Sequence, residues 1–184
     1  MLKRPLTLNG ELLKDGSGTL VLDSDVLFGE ESSDVPVSGA NRLTVNGGSV
    51  EVGENASVDG IEIKFTEGTA LVIKVNPDNR EWIERGVFNV KSATPFVLGD
   101  NVDRLPVKLD LSAISGETLV KGFTCAIATV SASAADSVAS MLYGRIAARD
   151  GISPGFVNRM NDAESNTVTF TATFKRVGLV ISVK

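Results

Sequence analysis

Residues 42–75, RLTVNGGSVEVGENASVDGIEIKFTEGTALVIKV, restrict what this chain can fold into more than any other stretch. Leu43 and Val45 flank Thr44, Val50 and Val52 flank Glu51, and Ile61, Ile63 and Phe65 flank Glu62 and Lys64. A period of two places the apolar members of each run on one face of an extended strand. The last run, residues 70–75, is apolar at nearly every position, as expected of a strand covered on both faces. Run starts lie roughly seven to ten residues apart, which fits a strand and a tight turn and leaves no room for a helix. The segment is expected to form stacked or meandering β-structure.

Further runs extend the pattern. Leu6-Thr7-Leu8 closes on Asn9-Gly10, and Thr19-Leu20-Val21-Leu22 follows the turn Gly16-Ser17-Gly18. The phrase LTLNG at Leu6 returns as LTVNG at Leu43, an internal repeat of the kind found in solenoids. Residues 30–40 are rich in Ser, Asp and Gly and are expected to be an exposed loop. Residues 76–80 read as a turn, and 81–86 as one helical turn or a polar excursion. Strands are expected at 87–90, 95–98 and 107–111. The apolar run 118–130 is too rich in β-branched residues for a comfortable helix. One helix is expected over 135–149, capped by Asp136, with Val138, Met141, Leu142, Tyr143 and Ile146 at helical spacings and Asp150-Gly151 at its end. Residues 151–166 then read as a loop. The alternating runs 167–174 and 177–183, joined by Lys175-Arg176, read as a β-hairpin with one buried face.

Aromatic residues make up only 5% of the 184-residue chain, so its core must rest on Val, Leu, Ile and Ala, which suit thin β-layers. Eighteen glycines supply the positive-φ positions that frequent turns demand. A net charge of −5 without a basic cluster argues against nucleic acid and against anionic membrane as partners. No run reaches the roughly 18 apolar residues that span a bilayer. Behind Met1-Leu2-Lys3-Arg4-Pro5 there is no apolar stretch, so no signal peptide is expected within this chain; it is either cytosolic or a fragment of something longer. The single Cys125 sits in an apolar run and is expected to be a buried structural thiol.

Chemical motifs are sparse. The chain has no histidine, which removes the usual nucleophilic triads and histidine metal sites. It carries no G-x-S-x-G, Walker phosphate loop or G-x-G-x-x-G. Asp23 and Asp25, two apart in a strand-like context, would point to the same side and could hold a hard cation or act as acid and base. A solvated strand edge is the plainer reading. Asn76, Asp78 and Asn79 offer oxygen ligands for calcium, as do Asp162 and Glu164 within 158–166, although ordinary turns explain both groups. Trp82 and Tyr143 are the side chains that would stack on a sugar, against the simpler expectation that each packs in the core. No catalytic residue and no cofactor are expected, and the metal question is open.

Two phrases carry a family resemblance. The run Leu13-Lys14-Asp15-Gly16-Ser17-Gly18-Thr19-Leu20-Val21-Leu22 is similar to the L-x-K-x-G-x-G-T-L-x-L opening of the autotransporter-associated β-strand repeat. The run Leu43-Thr44-Val45-Asn46-Gly47-Gly48-Ser49-Val50-Glu51-Val52 resembles its second half, L-x-V-N-G-G-x-L-x-V. The stretch GENASVDGIEIKFTEGTALVIKV is similar to the strand ladder that continues such repeats. VKLDLSAISGETLVKGFTCAIATV and VTFTATFKRVGLVISVK resemble the C-terminal ends of such proteins, so the resemblance touches roughly two thirds of the chain. The chain departs from the pattern in holding one full repeat, not an array, and no terminal membrane β-barrel. The resemblance implies an all-β fold, a right-handed parallel β-helix or solenoid, with the short helix and the C-terminal hairpin as its cap. An antiparallel β-sandwich is the alternative. A single domain over 1–184 is expected, comprising a strand ladder (1–130), a helical insert (131–151) and a loop with hairpin (152–184), as part of a longer protein. The implied function is non-catalytic: a structural or adhesive segment of an exported bacterial surface protein, extracellular or on the cell surface. Its partners would be other surface components or polysaccharide, with no membrane insertion by this segment. The alternatives are a polysaccharide-binding or polysaccharide-degrading β-helix module and a trimeric fibre.

Overall fold

A computed structural model describes residues 6–8, 10–28, 42–54, 56–59, 62–86, 88–90, 96–104, 106–142, 145–148 and 152–177. The chain is mostly strand, and its strands visit three sheets in a fixed rotation. The first cycle is β1 (Leu6–Leu8), β2 (Glu11–Lys14) and β3 (Thr19–Leu22); the second is β4 (Val26–Phe28), β5 (Arg42–Val45) and β6 (Ser49–Val52). The third is β7 (Val58–Asp59), β8 (Glu62–Phe65) and β9 (Ala70–Lys74). A short helix α1 (Arg80–Arg85) precedes the fourth, β10 (Phe88–Val90), β11 (Phe96–Leu98) and β12 (Val107–Asp110). Each strand pairs in parallel with the strand three places later, giving the orders β1-β4-β7-β10, β2-β5-β8-β11 and β3-β6-β9-β12. These parallel ladders exclude the antiparallel sandwich for this part of the chain. Each strand expected over the first 111 residues has a counterpart among the described residues.

The register explains the core. In the second sheet Leu12, Leu43, Ile63 and Phe96 share one inward column, and Lys14, Val45, Phe65 and Leu98 the next. In the third sheet the inward columns are Leu20, Val50, Leu71, Val107 and Leu22, Val52, Ile73, Leu109. Val45, Val52, Phe65, Ile73 and Leu109 are fully buried. Each such side chain removed from water contributes roughly 1.5–3 kcal/mol, offset by the chain entropy lost on ordering. The aliphatic columns thus replace an aromatic-centred core.

The outward columns are polar and tie neighbouring strands together. Glu11, Arg42 and Glu62 alternate in charge along the second sheet, with Arg42 Nη2 2.5 Å from Glu62 Oε1 and Thr44 Oγ1 donating to Glu11. On the third sheet Lys74 reaches Glu51 at 2.8 Å, and this hydrogen-bonded carboxylate holds the ammonium pKa above its ordinary value. Residues 70–75 are not covered on both faces. Leu71, Ile73 and Val75 are buried, whereas Ala70, Val72 and Lys74 are half-buried. Val72 lies in the outward column between Glu51 and Lys108, so neighbouring side chains give it its partial cover.

The turns stack as closely as the strands. Gly48 adopts φ +67°, and a Cβ placed there would lie 2.2 Å from the Gly18 carbonyl oxygen, so the two turns approach at a distance only glycine allows. Asn46 Nδ2 donates to Asp15 Oδ1, Thr19 and Ser49 share a hydroxyl hydrogen bond, and Lys14 Nζ donates to the carbonyls of Asp15, Gly16 and Gly47. The two phrases quoted for the family resemblance therefore lie on top of one another, strand on strand, with the one-residue difference in their turns absorbed between Lys14 and Thr19. The LTLNG echo does not. Leu6 lies on the first sheet and Leu43 on the second, and the first-cycle residue that pairs with Leu43 is Leu12.

Beyond β12 the architecture changes. Helix α2 (Gly116–Lys121) starts at Ser115, whose Oγ accepts from Thr118 N, and is supported by the Glu117–Lys121 pair at 2.7 Å. Those local contacts override the β preference read for 118–121. Strand β13 (Phe123–Ser131) pairs in parallel with β10 on one side and antiparallel on the other with the last long strand. A single 3-10 turn (Ala132–Ala134) leads into α3 (Ala135–Leu142), which buries Ala135, Val138 and Leu142. The helix stops short of the expected Arg149, because Arg145–Ile146 form strand β14 and Ile146 is buried against Gly155 instead of along a helix.

The expected loop at 151–166 is largely strand. β15 (Gly155–Asp162) runs antiparallel between β14 and β16 (Thr167–Phe174). Its apolar Phe156 and Met160 face solvent, so no period-two burial signal marks it. β15 and β16 form a hairpin. Lys175-Arg176 makes no turn, since Arg176 N donates to Leu119 O and Arg176 bridges to Ile152; residues 178–183 lie outside the described set. The antiparallel end finally reaches the third sheet, where Ala147 bridges to Lys108 and accepts from Leu109 N at 3.1 Å.

Candidate functional site

Two of the carboxylates singled out in the sequence, Asp25 and Asp162, serve the corners and turns. Asp23 and Asp25 lie in the corner between β3 and β4, outside any strand, so the same-side geometry expected of them does not arise. Asp25 Oδ1 accepts from both the backbone N and the Oγ of Ser57 at 2.9 Å, fastening one corner to the next. Asn76 Oδ1 accepts from Asp78 N at 3.0 Å, the closure of an Asx turn. Asp162 accepts from Glu164 N, Ser165 N and Ser165 Oγ within the β15–β16 turn, and these donors hold its carboxyl below the usual carboxylate range. Among the described residues no three of His, Cys, Asp or Glu gather in a metal-binding arrangement.

Cys125 lies on the inner side of β13 and is 1% exposed. Burial pushes its thiol up to about 12, so at neutral pH it is a packed, protonated side chain and not a nucleophile. Gly16-Ser17-Gly18 is the turn between β2 and β3. Trp82 falls on α1, with its side chain outside the described set, and Tyr143 lies outside the described residues altogether. The sugar-contact reading of these two residues thus falls outside the described residues.

An open groove of about 530 Å³ lies between the edge strand of the second sheet and α3. β11 supplies Phe96, Val97 and Leu98, α3 supplies Ser137, Ser140 and Met141, and Asp103 stands at the rim. Ser140 Oγ donates to the Ser137 carbonyl, and Asp103 is 3.9 Å from its neighbour Arg104. Hydroxyls, one exposed carboxylate and apolar walls are equipment for contact, without a base set against a nucleophile. Its two walls are about forty residues apart in the chain, and no local motif announces their meeting.

No family model, no curated protein and no solved structure matches this chain.

Proposed function

We propose that the chain is a non-catalytic structural or adhesive segment of an exported bacterial surface protein, built as the end of a right-handed parallel β-helix of the autotransporter-associated repeat type. The observation that carries this reading is the in-register stacking of three successive strand–turn–strand arches, beginning at Leu12, Leu43 and Ile63. Such a stack makes a rigid rod whose cohesion comes from repeated short-range contacts. The polar contacts described above support the same reading, since Asp15, Asp25, Glu51 and Glu62 all spend their carboxylates on holding one cycle to the next. The change to antiparallel pairing after β13 suits a terminating cap, because it covers edges that would otherwise invite further strands.

The test is accessibility on the intact producing cell. Protease and antibody applied from outside should reach the chain before lysis, and the purified protein should adhere to cells or immobilised cell-surface material without consuming any substrate. Protection from both reagents until lysis would sink the surface reading. Measurable turnover of a polysaccharide would replace it with the polysaccharide-active alternative.

A further inference from the structure

Among the described residues, β15 leaves most of one edge open. β14 pairs only with Phe156 and Gly155, so from residue 157 to residue 162 no described strand lies on the side of β15 away from β16. Residues 158–162 are all exposed. Edge strands are usually blunted by proline, by outward lysine or by a bulge, and this stretch has none of the three. Its one cation, Arg159, is drawn back onto the molecule, with Nη1 2.5 Å from Asp136 Oδ1 at the start of α3. The edge at the other end of the stack contrasts with it: there Lys14 occupies the last inward position of β2.

We propose that this edge pairs antiparallel with the same strand of a second copy of the chain, across a two-fold axis at Met160. Antiparallel self-pairing about Met160 sets Asn158 opposite Asp162 of the second copy, twice, and Arg159 opposite Asn161. Opposed positions then match an amide with a carboxylate and a guanidinium with an amide, and no like charges face each other. The two Met160 side chains, each 59% exposed in the single chain, meet at the axis. Because β14 blocks the edge at Phe156, pairing is confined to residues 157–162, and a register centred nearer Phe156 is closed off. The joined sheets would run β13-β16-β15 and back through the second copy. A contact of this size belongs to the weak, concentration-dependent class of interfaces.

Sedimentation velocity over a range of protein concentrations tests the pairing. The wild-type chain should shift from monomer to dimer as concentration rises, and backbone amides of residues 158–162 should gain hydrogen-exchange protection over the same range. Met160→Glu and Met160→Lys each place like charges face to face at the axis, so each alone should weaken association at least tenfold, while an equimolar mixture of the two restores it. A wild-type monomer at every concentration overturns the proposal. So does a dimer that persists in both variants, or one whose formation leaves amides 158–162 unprotected.

Discussion

Gly48 and Gly68 both have positive φ, 67° and 75°, yet they stand in different surroundings. A Cβ at Gly48 would strike the carbonyls of Gly18 and Gly16, whereas one at Gly68 would meet nothing within 4 Å. Gly68→Ala should therefore cost only the backbone penalty of about 1 kcal/mol, and Gly48→Ala clearly more; equal costs in urea denaturation would mean that the turns do not stack. Cys125 should resist thiol reagents at pH 8 in the native protein and react fully in denaturant; reaction at equal rates in both states would contradict its burial. Asp162 has a lowered folded-state pKa, so its contribution is present above the ordinary carboxylate pKa and is lost as pH falls through the folded value. Asp162→Asn should make the β15–β16 turn less sensitive to pH in the acid range, read from NMR shifts of Glu164 and Ser165 amides.

At the level of single elements, β9 offers the sharpest contrast between adjacent residues. Ile73 is fully buried between Val52 and Leu109, while Val72 lies half-buried on the outer face. Ile73→Ala should destabilise by about 3 kcal/mol and Val72→Ala by less than about 1 kcal/mol; equal costs in chemical denaturation would mean the strand is covered on both sides after all. This element also shows what can be read in advance. Most strands up to residue 110 are legible because alternation and glycine-rich turns act locally, within a few residues of each other; β4 and β7, three and two residues long, are too short to carry an alternation. β15 is not, because Phe156 and Met160 point outward and the strand owes its existence to a partner later in the chain, β16. The end of α3 departs from its sequence pattern for the same reason: Ile146 has helical spacing and finds its burial in an antiparallel pair. Of the site, the turn roles of Asn76 and Asp162 can be read from neighbouring residues, while the groove between β11 and α3 depends on contacts between distant segments.

Across the whole molecule, parallel growth stops at β13, whose free side is taken by β16 running the other way. A chain shortened to remove β15 and β16 would leave the apolar run Phe123–Ser131 as an open edge, and it should aggregate on refolding, as followed by light scattering. A soluble monomeric product would show that the antiparallel end has no protective role. The rotation through three sheets has a further consequence for how such a chain can change. Leu6 pairs with Val26 and Arg42 with Glu62, twenty residues on in both cases, yet Val26 pairs with Val58 and Leu71 with Val107 across longer intervals. The extra residues enter at the corners and leave the ladder register untouched. Lengthening a flexible corner costs only about 0.6 kcal/mol per doubling. Core and surface are thus free to diversify separately: a corner can acquire a new peptide, of any length and without periodicity, while the stack beneath keeps its count.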